Sequence, residues 1–290
     1  SKKTDIVPEN TGTVLSKLEN YIFVPALIIN TFMKYCTVSS ITEQYKLILY
    51  CLLVFVIAIC IAIPLSGVFT KEEYKRSIYK YALTFGNFSF MGNAIVPAIL
   101  GEAELYNYML YILPINVAVY TWGVIILIPK TGEKKSVFKN LLNPIFISII
   151  VGAALGLSGL SQHIPSFLSK TISNCAACMG PLAMILTGFV IGGYNLASLL
   201  GDKKIYAATF LRLVVLPVLF VGILYLIGAD KTALILTLFA FGTPLGLNTV
   251  VFPAAYGGDT STGASMAMIS HTLCVITIPL MYALLTYVAG

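Results

Sequence analysis

The sequence predicts an all-α polytopic membrane protein with nine spans arranged as two inverted repeats. Three observations carry this: the composition, the placement of the basic residues, and a shifted internal copy of one unusual span. The chain has 290 residues, 58% of them hydrophobic and 10% charged, with a mean hydropathy of +0.90. A soluble domain of this size would lack the polar surface to cover itself. The apolar segments are long and do not alternate with period two, which favours helices over a membrane barrel.

The nine spans run approximately Val14–Tyr35, Tyr45–Gly67, Ile78–Leu100, Leu105–Ile128, Leu141–Leu160, Leu168–Tyr194, Ile205–Ile227, Thr232–Tyr256 and Ala264–Val288. A net charge of +6 raises the question of nucleic acid, but the positions of the charges answer it. Of the 18 Lys and Arg residues, 14 fall on one side of the membrane, Lys71, Lys75, Arg76, Lys134, Lys135 and Arg212 among them. Only Lys34, Lys46, Lys170 and Lys231 fall on the other. This positive-inside pattern places the N-terminus of the chain in the cytoplasm and its C-terminus outside an inner (plasma) membrane. The partner implied is a lipid bilayer, not nucleic acid.

In chain order, the first span carries Glu19, Pro25 and Asn30, and a basic segment, TKEEYKRSIYK, follows the second. The third ends in Ala82–Glu102, ALTFGNFSFMGNAIVPAILGE, where Gly86, Asn87, Gly92, Asn93 and Pro97 interrupt an otherwise apolar run. Glycines loosen a helix and Pro removes a donor, so unpaired backbone groups are expected at membrane depth. Gly152 with Gly156 and Gly188 with Gly192 form small-xxx-small pairs, read as packing faces. The six cysteines lie mostly in apolar segments, and Cys175-Ala-Ala-Cys178 lacks any neighbouring His or acid, so no metal and no cofactor is expected.

Sliding Ala82–Glu102 by 156 positions superposes Phe85 on Phe241, Gly86 on Gly242, Pro97 on Pro253, Ala98 on Ala254 and Gly101 on Gly257. Asn87 then meets Thr243, Gly92 meets Asn248 and Asn93 meets Thr249. The second stretch also contains Pro244 and Gly246. Five span steps separate the copies, and an odd number makes them run oppositely through the bilayer. The resulting division is residues 1–128 for a first repeat of four spans, 129–140 for a cytoplasmic loop and 141–290 for a second repeat of five. The span that begins at Asn143-Pro144 has no counterpart in the first repeat, so a tenth span is expected ahead of Ser1.

At these residues the chain resembles the auxin efflux carrier family, which includes plant PIN-FORMED proteins and bacterial members. GNFSFMG followed by Pro97 resembles the family's fourth-span motif, and PLGLNTVVFPAAYGGD resembles its ninth-span motif. Ala94 and Pro253 depart from the family pattern. The resemblance implies two inverted five-helix repeats whose broken helices cross. It also implies a homodimer-forming scaffold and a mobile transport part that works as an elevator.

The expected chemistry is carboxylate binding. Half-helices at Ala94–Leu100 and Val250–Tyr256 would aim their N-termini at the midplane, and converging helix N-termini attract an anion without a buried Arg. No Lys or Arg is expected centrally in any span. By the resemblance, Asn87 and Asn248 contact the substrate; Asn93 and Thr243 are the further candidates to complete the ring. The alternative is that these amides cap interrupted backbone. Gly86, Gly92, Pro97, Gly242, Pro244, Gly246 and Pro253 make the breaks. His271, the one His inside a span, is either a carrier of a coupling proton or a neutral ring bonded between helices, and the second reading is favoured.

The resulting expectation is a secondary transporter of a small mono- or dicarboxylate, auxin-like or malate/malonate-like, and not an enzyme. A passive channel or a membrane ligand sensor is the alternative. An intramembrane enzyme fits less well, because Ser270 and His271 are adjacent on a helix and point about 100° apart.

Overall fold

A computed structural model describes residues 8, 10–127, 143–192, 200–255 and 258–288. The expected loop at 129–140 and the residues Tyr256 and Gly257 lie outside them. Among the described residues the structure is helical almost throughout, and the one β-type pairing is an isolated bridge between Gly86 and Leu245. The longer helices are α1 (Thr11–Tyr35), α2 (Val38–Phe69), α3 (Glu73–Thr84), α4 (Phe88–Leu100), α5 (Glu102–Tyr111) and α6 (Leu113–Leu127). After them come α7 (Pro144–Leu157), α8 (Ser166–Gly192), α9 (Lys203–Leu226), α10 (Lys231–Phe241), α11 (Asn248–Ala255) and α12 (Ser261–Val288).

Five of these, α1, α2, α8, α9 and α12, are long and apolar enough to cross a membrane, and α5 with α6, bent by 50°, makes a sixth. Four of the nine expected spans therefore do not form one long helix, the fourth being this bent pair. The third is divided into α3 and α4, the eighth into α10 and α11, and the fifth is the 14-residue α7. The chain is apolar on its outside: Leu49, Leu52, Leu53 and Val56 of α2 and Val275, Ile276, Leu280 and Leu284 of α12 are exposed. Several polar residues, Thr31, Ser66, Thr84 and Thr237, are buried. Such a surface suits lipid, not water.

Helix starts follow local chemistry. Thr37 and Ser40 form a reciprocal capping box at α2. Asn143 Oδ1 accepts from Ile145 and Phe146 N–H at α7, Asp230 from Ala233 N–H at α10, and Asp259 from Ser261 N–H at α12. Two of the π-helical turns, Glu19–Phe23 in α1 and Leu211–Val215 in α9, end just before Val24-Pro25 and Leu216-Pro217. Proline lacks a donor and crowds the carbonyl four residues back, and a widened turn relieves both.

Helices α1, α7 and α8 pack as one group. Gly152 and Gly156 make this possible, since a Cβ on Gly156 would lie 2.6 Å from Phe32 O and one on Gly152 would lie 3.1 Å from Ile29 Cα. At the expected face of Gly188 and Gly192, a Cβ at either position meets nothing within 4 Å among the described residues. Elsewhere, α2 packs on α3 and α5, and α9 on α10 and α12. Lys34 pairs with Glu102 at 3.1 Å, so the end of α1 and the end of α4 share one side of the molecule. Tyr74 donates to Leu127 O, which brings the start of α3 and the end of α6 together.

Candidate functional site

The two interrupted segments meet. Helix α3 ends at Thr84, and Phe85 is extended (φ −111°, ψ 128°) before a π-helical turn opens α4 at Phe88. Helix α10 ends at Phe241, and Gly242 to Leu247 separate it from α11. Shifting Thr84 by the 156-residue period gives position 240, within one residue of the observed end of α10. At the contact, Asn87 N–H donates to Pro244 O across 2.7 Å, beside the Gly86–Leu245 bridge. Backbone freed by each break is thus partly satisfied by the other, as burial at membrane depth demands.

Close approach is enforced by glycine. A Cβ on Gly246 would lie 3.1 Å from Gly86 O. On Gly86 it would lie 2.6 Å from Thr243 Oγ1 and collide with the Arg212 guanidinium. Gly242, at the C-terminus of α10, has no room either, because Leu238 O would be 2.6 Å away.

Beside this contact lies a cavity of about 830 Å³. One wall is made of Gly86, Asn87, Ser89, Gly246 and Asn248 from the two breaks. Ser16, Lys17 and Asn20 of α1, Asn143 ahead of α7, and Leu186 and Phe189 of α8 also line the cavity. Asn116 and Tyr120 of α6 also reach it. In the first turn of α4 the N–H groups of Phe88, Ser89 and Phe90 have no carbonyl upstream within the helix, and these residues line the same space. The arrangement offers neutral donors, a helix N-terminus and a Lys, a chemistry suited to an anion.

The four expected contact residues are divided. Asn87 and Asn248 line the cavity, and Asn248 Nδ2 donates to the Tyr81 hydroxyl at 2.8 Å, which ties α11 to α3. Asn93 does not line it. Its Oδ1 is buried without a partner and faces a separate pocket of about 10 Å³, shared with Ser89 and Asn116 and large enough for roughly one water. Thr243 also lies away from the cavity, fully buried behind Gly86, with its hydroxyl donating to Ala240 O. His271 of α12 sits 3.1 Å from Asn87, ring Nε2 to amide Nδ2.

Among the expected break residues, Gly86, Gly242, Pro244 and Gly246 lie at the interruptions. Pro97, Pro253 and Gly92 do not. Pro97 is inside α4 and Pro253 inside α11, and the helices restart at Phe88 and Asn248 instead of Ala94 and Val250. Loss of one donor is tolerated within a helix that its neighbours hold, whereas a sharp reversal needs the glycines. Gly92 instead seats Tyr108: a Cβ there would overlap the tyrosine ring, whose hydroxyl donates to Phe88 O at 2.9 Å.

Arg212 corrects the expectation that no basic residue is central. It is fully buried in the π turn of α9, with its guanidinium 5.7 Å from the centre of the Phe241 ring and Nη1 3.4 Å from Leu83 O. The count of basic residues by membrane side places it with the cytoplasmic charges. A sequence signal was available, because Arg212 lies eight residues inside its own predicted span at Ile205–Ile227.

The comparison with families is decisive at this point. A family model described as Membrane transport protein matches residues 1–138 and again 133–282. The chain belongs to this family, the auxin efflux carriers. A comparison with curated proteins returned no match. The auxin efflux carrier family is one of transporters and not of enzymes, so the cavity at the two breaks is the candidate transport site of a multi-pass membrane protein.

Proposed function

We propose that the protein is a secondary transporter that carries a small organic anion, a mono- or dicarboxylate, between the two faces of an inner (plasma) membrane. The carboxylate binds where the two broken helices cross, to Asn87, Asn248 and the free N–H groups at the start of α4. The observation that carries this reading is the Asn87 N–H···Pro244 O contact at the edge of a cavity of about 830 Å³ lined by both asparagines. Arg212 adds a buried positive charge behind Gly86.

The walls of the cavity support an elevator motion. The group of α1, α7 and α8 lines the cavity together with the two breaks, so sliding the breaks past that group would carry the site from one side to the other. The same group is the natural scaffold and, in this reading, the dimer-forming part. Two inverted repeats, nine spans here and a cytoplasmic N-terminus complete the proposal.

Proteoliposome counterflow tests it. Labelled lactate, malate or indole-3-acetate is expected to exchange across vesicles that contain the protein, and Asn87→Ala is expected to abolish exchange. Thermal stabilisation by these anions without any exchange would point to a ligand sensor, and net flux without counterflow to a channel.

A further inference from the structure

The hydrogen bonds of His271 fix the tautomer of its neutral ring. Nδ1 lies 2.7 Å from Ala267 O, and a carbonyl oxygen only accepts, so Nδ1 carries a proton. In the neutral ring Nε2 is then a bare acceptor, and Asn87 Nδ2 donates to it at 3.1 Å. Among the described residues the other end of that amide, Oδ1, makes no hydrogen bond, and Asn87 lines the cavity. A neutral His271 therefore turns an acceptor toward the space where a carboxylate would sit.

Adding a proton at Nε2 makes both ring nitrogens donors. Nε2–H would then oppose Nδ2–H, donor against donor. A half-turn of the Asn87 amide about its Cβ–Cγ bond removes the conflict: Oδ1 accepts from Nε2–H, and Nδ2 faces the cavity with its N–H groups free. The main chain need not move, because the backbone N–H of Asn87 stays on Pro244 O.

We propose that His271 and Asn87 form a proton-gated carboxylate donor, in which uptake of one proton at Nε2 turns the Asn87 amide and admits one carboxylate. The proposal rests on the reading of the cavity as an anion site. The proton comes from water in the cavity, no covalent bond to carbon changes, and the ring's positive charge offsets the carboxylate's negative one. Release of the anion returns the amide and frees the proton, so proton and anion travel together as a symport.

Other ionisable groups on the elements around α12 do not replace His271. Arg212 in α9 stands behind Gly86, Tyr81 in α3 is held by Asn248, and Cys274 on α12 itself donates to His271 O. Cys175 and Cys178 lie mid-way along α8, while Lys170, Lys203, Lys204, Lys231 and the charged residues from Glu73 to Lys80 lie in roughly the first two turns of their helices. Tyr206 lies near the start of α9, and Tyr282 and Tyr287 lie toward the C-terminal end of α12. Both ring nitrogens of His271 are already occupied, by Ala267 and Asn87.

The test has two arms. In the first, His163→Ala removes the only other histidine, and nitrogen NMR of the full chain in nanodiscs follows His271 and the Asn87 side-chain amide from about pH 8 to about pH 5. The amide, assigned by its loss in Asn87→Ala, is expected to shift with the same midpoint as the ring. Independent behaviour of the two signals, or a ring that stays neutral throughout, overturns the proposal.

In the second arm, counterflow of lactate and indole-3-acetate is compared across the same range. Apparent affinity is expected to rise as pH falls, by up to about tenfold per unit for one linked proton. His271→Gln and His271→Asn are expected to flatten that slope. A slope that persists in both variants belongs to the substrate's own acid group and overturns the coupling. Absence of counterflow at every pH removes the transport reading itself, and the NMR arm then decides on the gated amide alone.

Discussion

The main-chain N–H of Asn87 and the carbonyl oxygen of Pro244 join two helix breaks across 2.7 Å, while the Asn87 side chain reaches His271 and the cavity. One residue thus serves the fold through its backbone and the site through its amide. Asn87→Ala should separate the two. The backbone bond survives, so thermal stability in detergent should change little. Carboxylate affinity should fall by about 1.5–3 kcal/mol, roughly ten- to a hundredfold in Kd. Equal losses of stability and binding would show that the side chain acts only in folding.

Gly86 is bounded by Thr243 Oγ1 and the Arg212 guanidinium. Gly86→Ala should therefore destabilise by about 1–3 kcal/mol through overpacking, read as a lower melting temperature. Gly188→Ala, whose Cβ meets open space, should leave the melting temperature unchanged or raise it slightly.

Arg212 is a buried charge with one long hydrogen bond and a neighbouring aromatic ring. Replacing a buried charge by an apolar side chain of similar length is often neutral or stabilising. Arg212→Met should match the wild-type melting temperature yet bind carboxylates about tenfold more weakly, through loss of a buried charge that stands behind Gly86 without lining the cavity. Unchanged affinity would make the guanidinium purely a packing element.

The Tyr81 hydroxyl accepts from Asn248 Nδ2 at 2.8 Å. Tyr81→Phe should cost about 1 kcal/mol of stability and free the Asn248 amide to rotate. Ligand-induced thermal shifts should shrink in this variant by more than the stability loss explains.

Much of the fold was legible in local signals. The membrane class came from composition, and the interruption of two spans came from Gly86, Asn87, Gly242 and Pro244. The 156-residue period located the end of α10 to within one residue of Thr84's counterpart. Pro97, Pro253 and Gly92 looked like break points, yet each sits inside a helix supported by its neighbours. A missing donor is a local defect that packing can absorb. A close backbone crossing excludes a Cβ outright, so Gly86 and Gly246 were the more reliable marks.

The site was legible in part for a different reason. Asn87 and Asn248 stood out as amides in apolar spans, but nothing local distinguished them from Asn93 and Thr243, which turn away from the cavity. The path of the chain through each break and rotation about the helix axes decide that, and both are set by packing against other helices. The pairing of residues 87 and 271, 184 positions apart, and the seating of Arg212 against Gly86 depend on contacts between distant spans. The sequence by itself determined the solvent this chain folds in and where its helices give way, because hydropathy and backbone freedom belong to single segments. Which polar groups face one another across those breaks was decided only by tertiary structure, because hydrogen bonds at membrane depth are satisfied between segments and not within them.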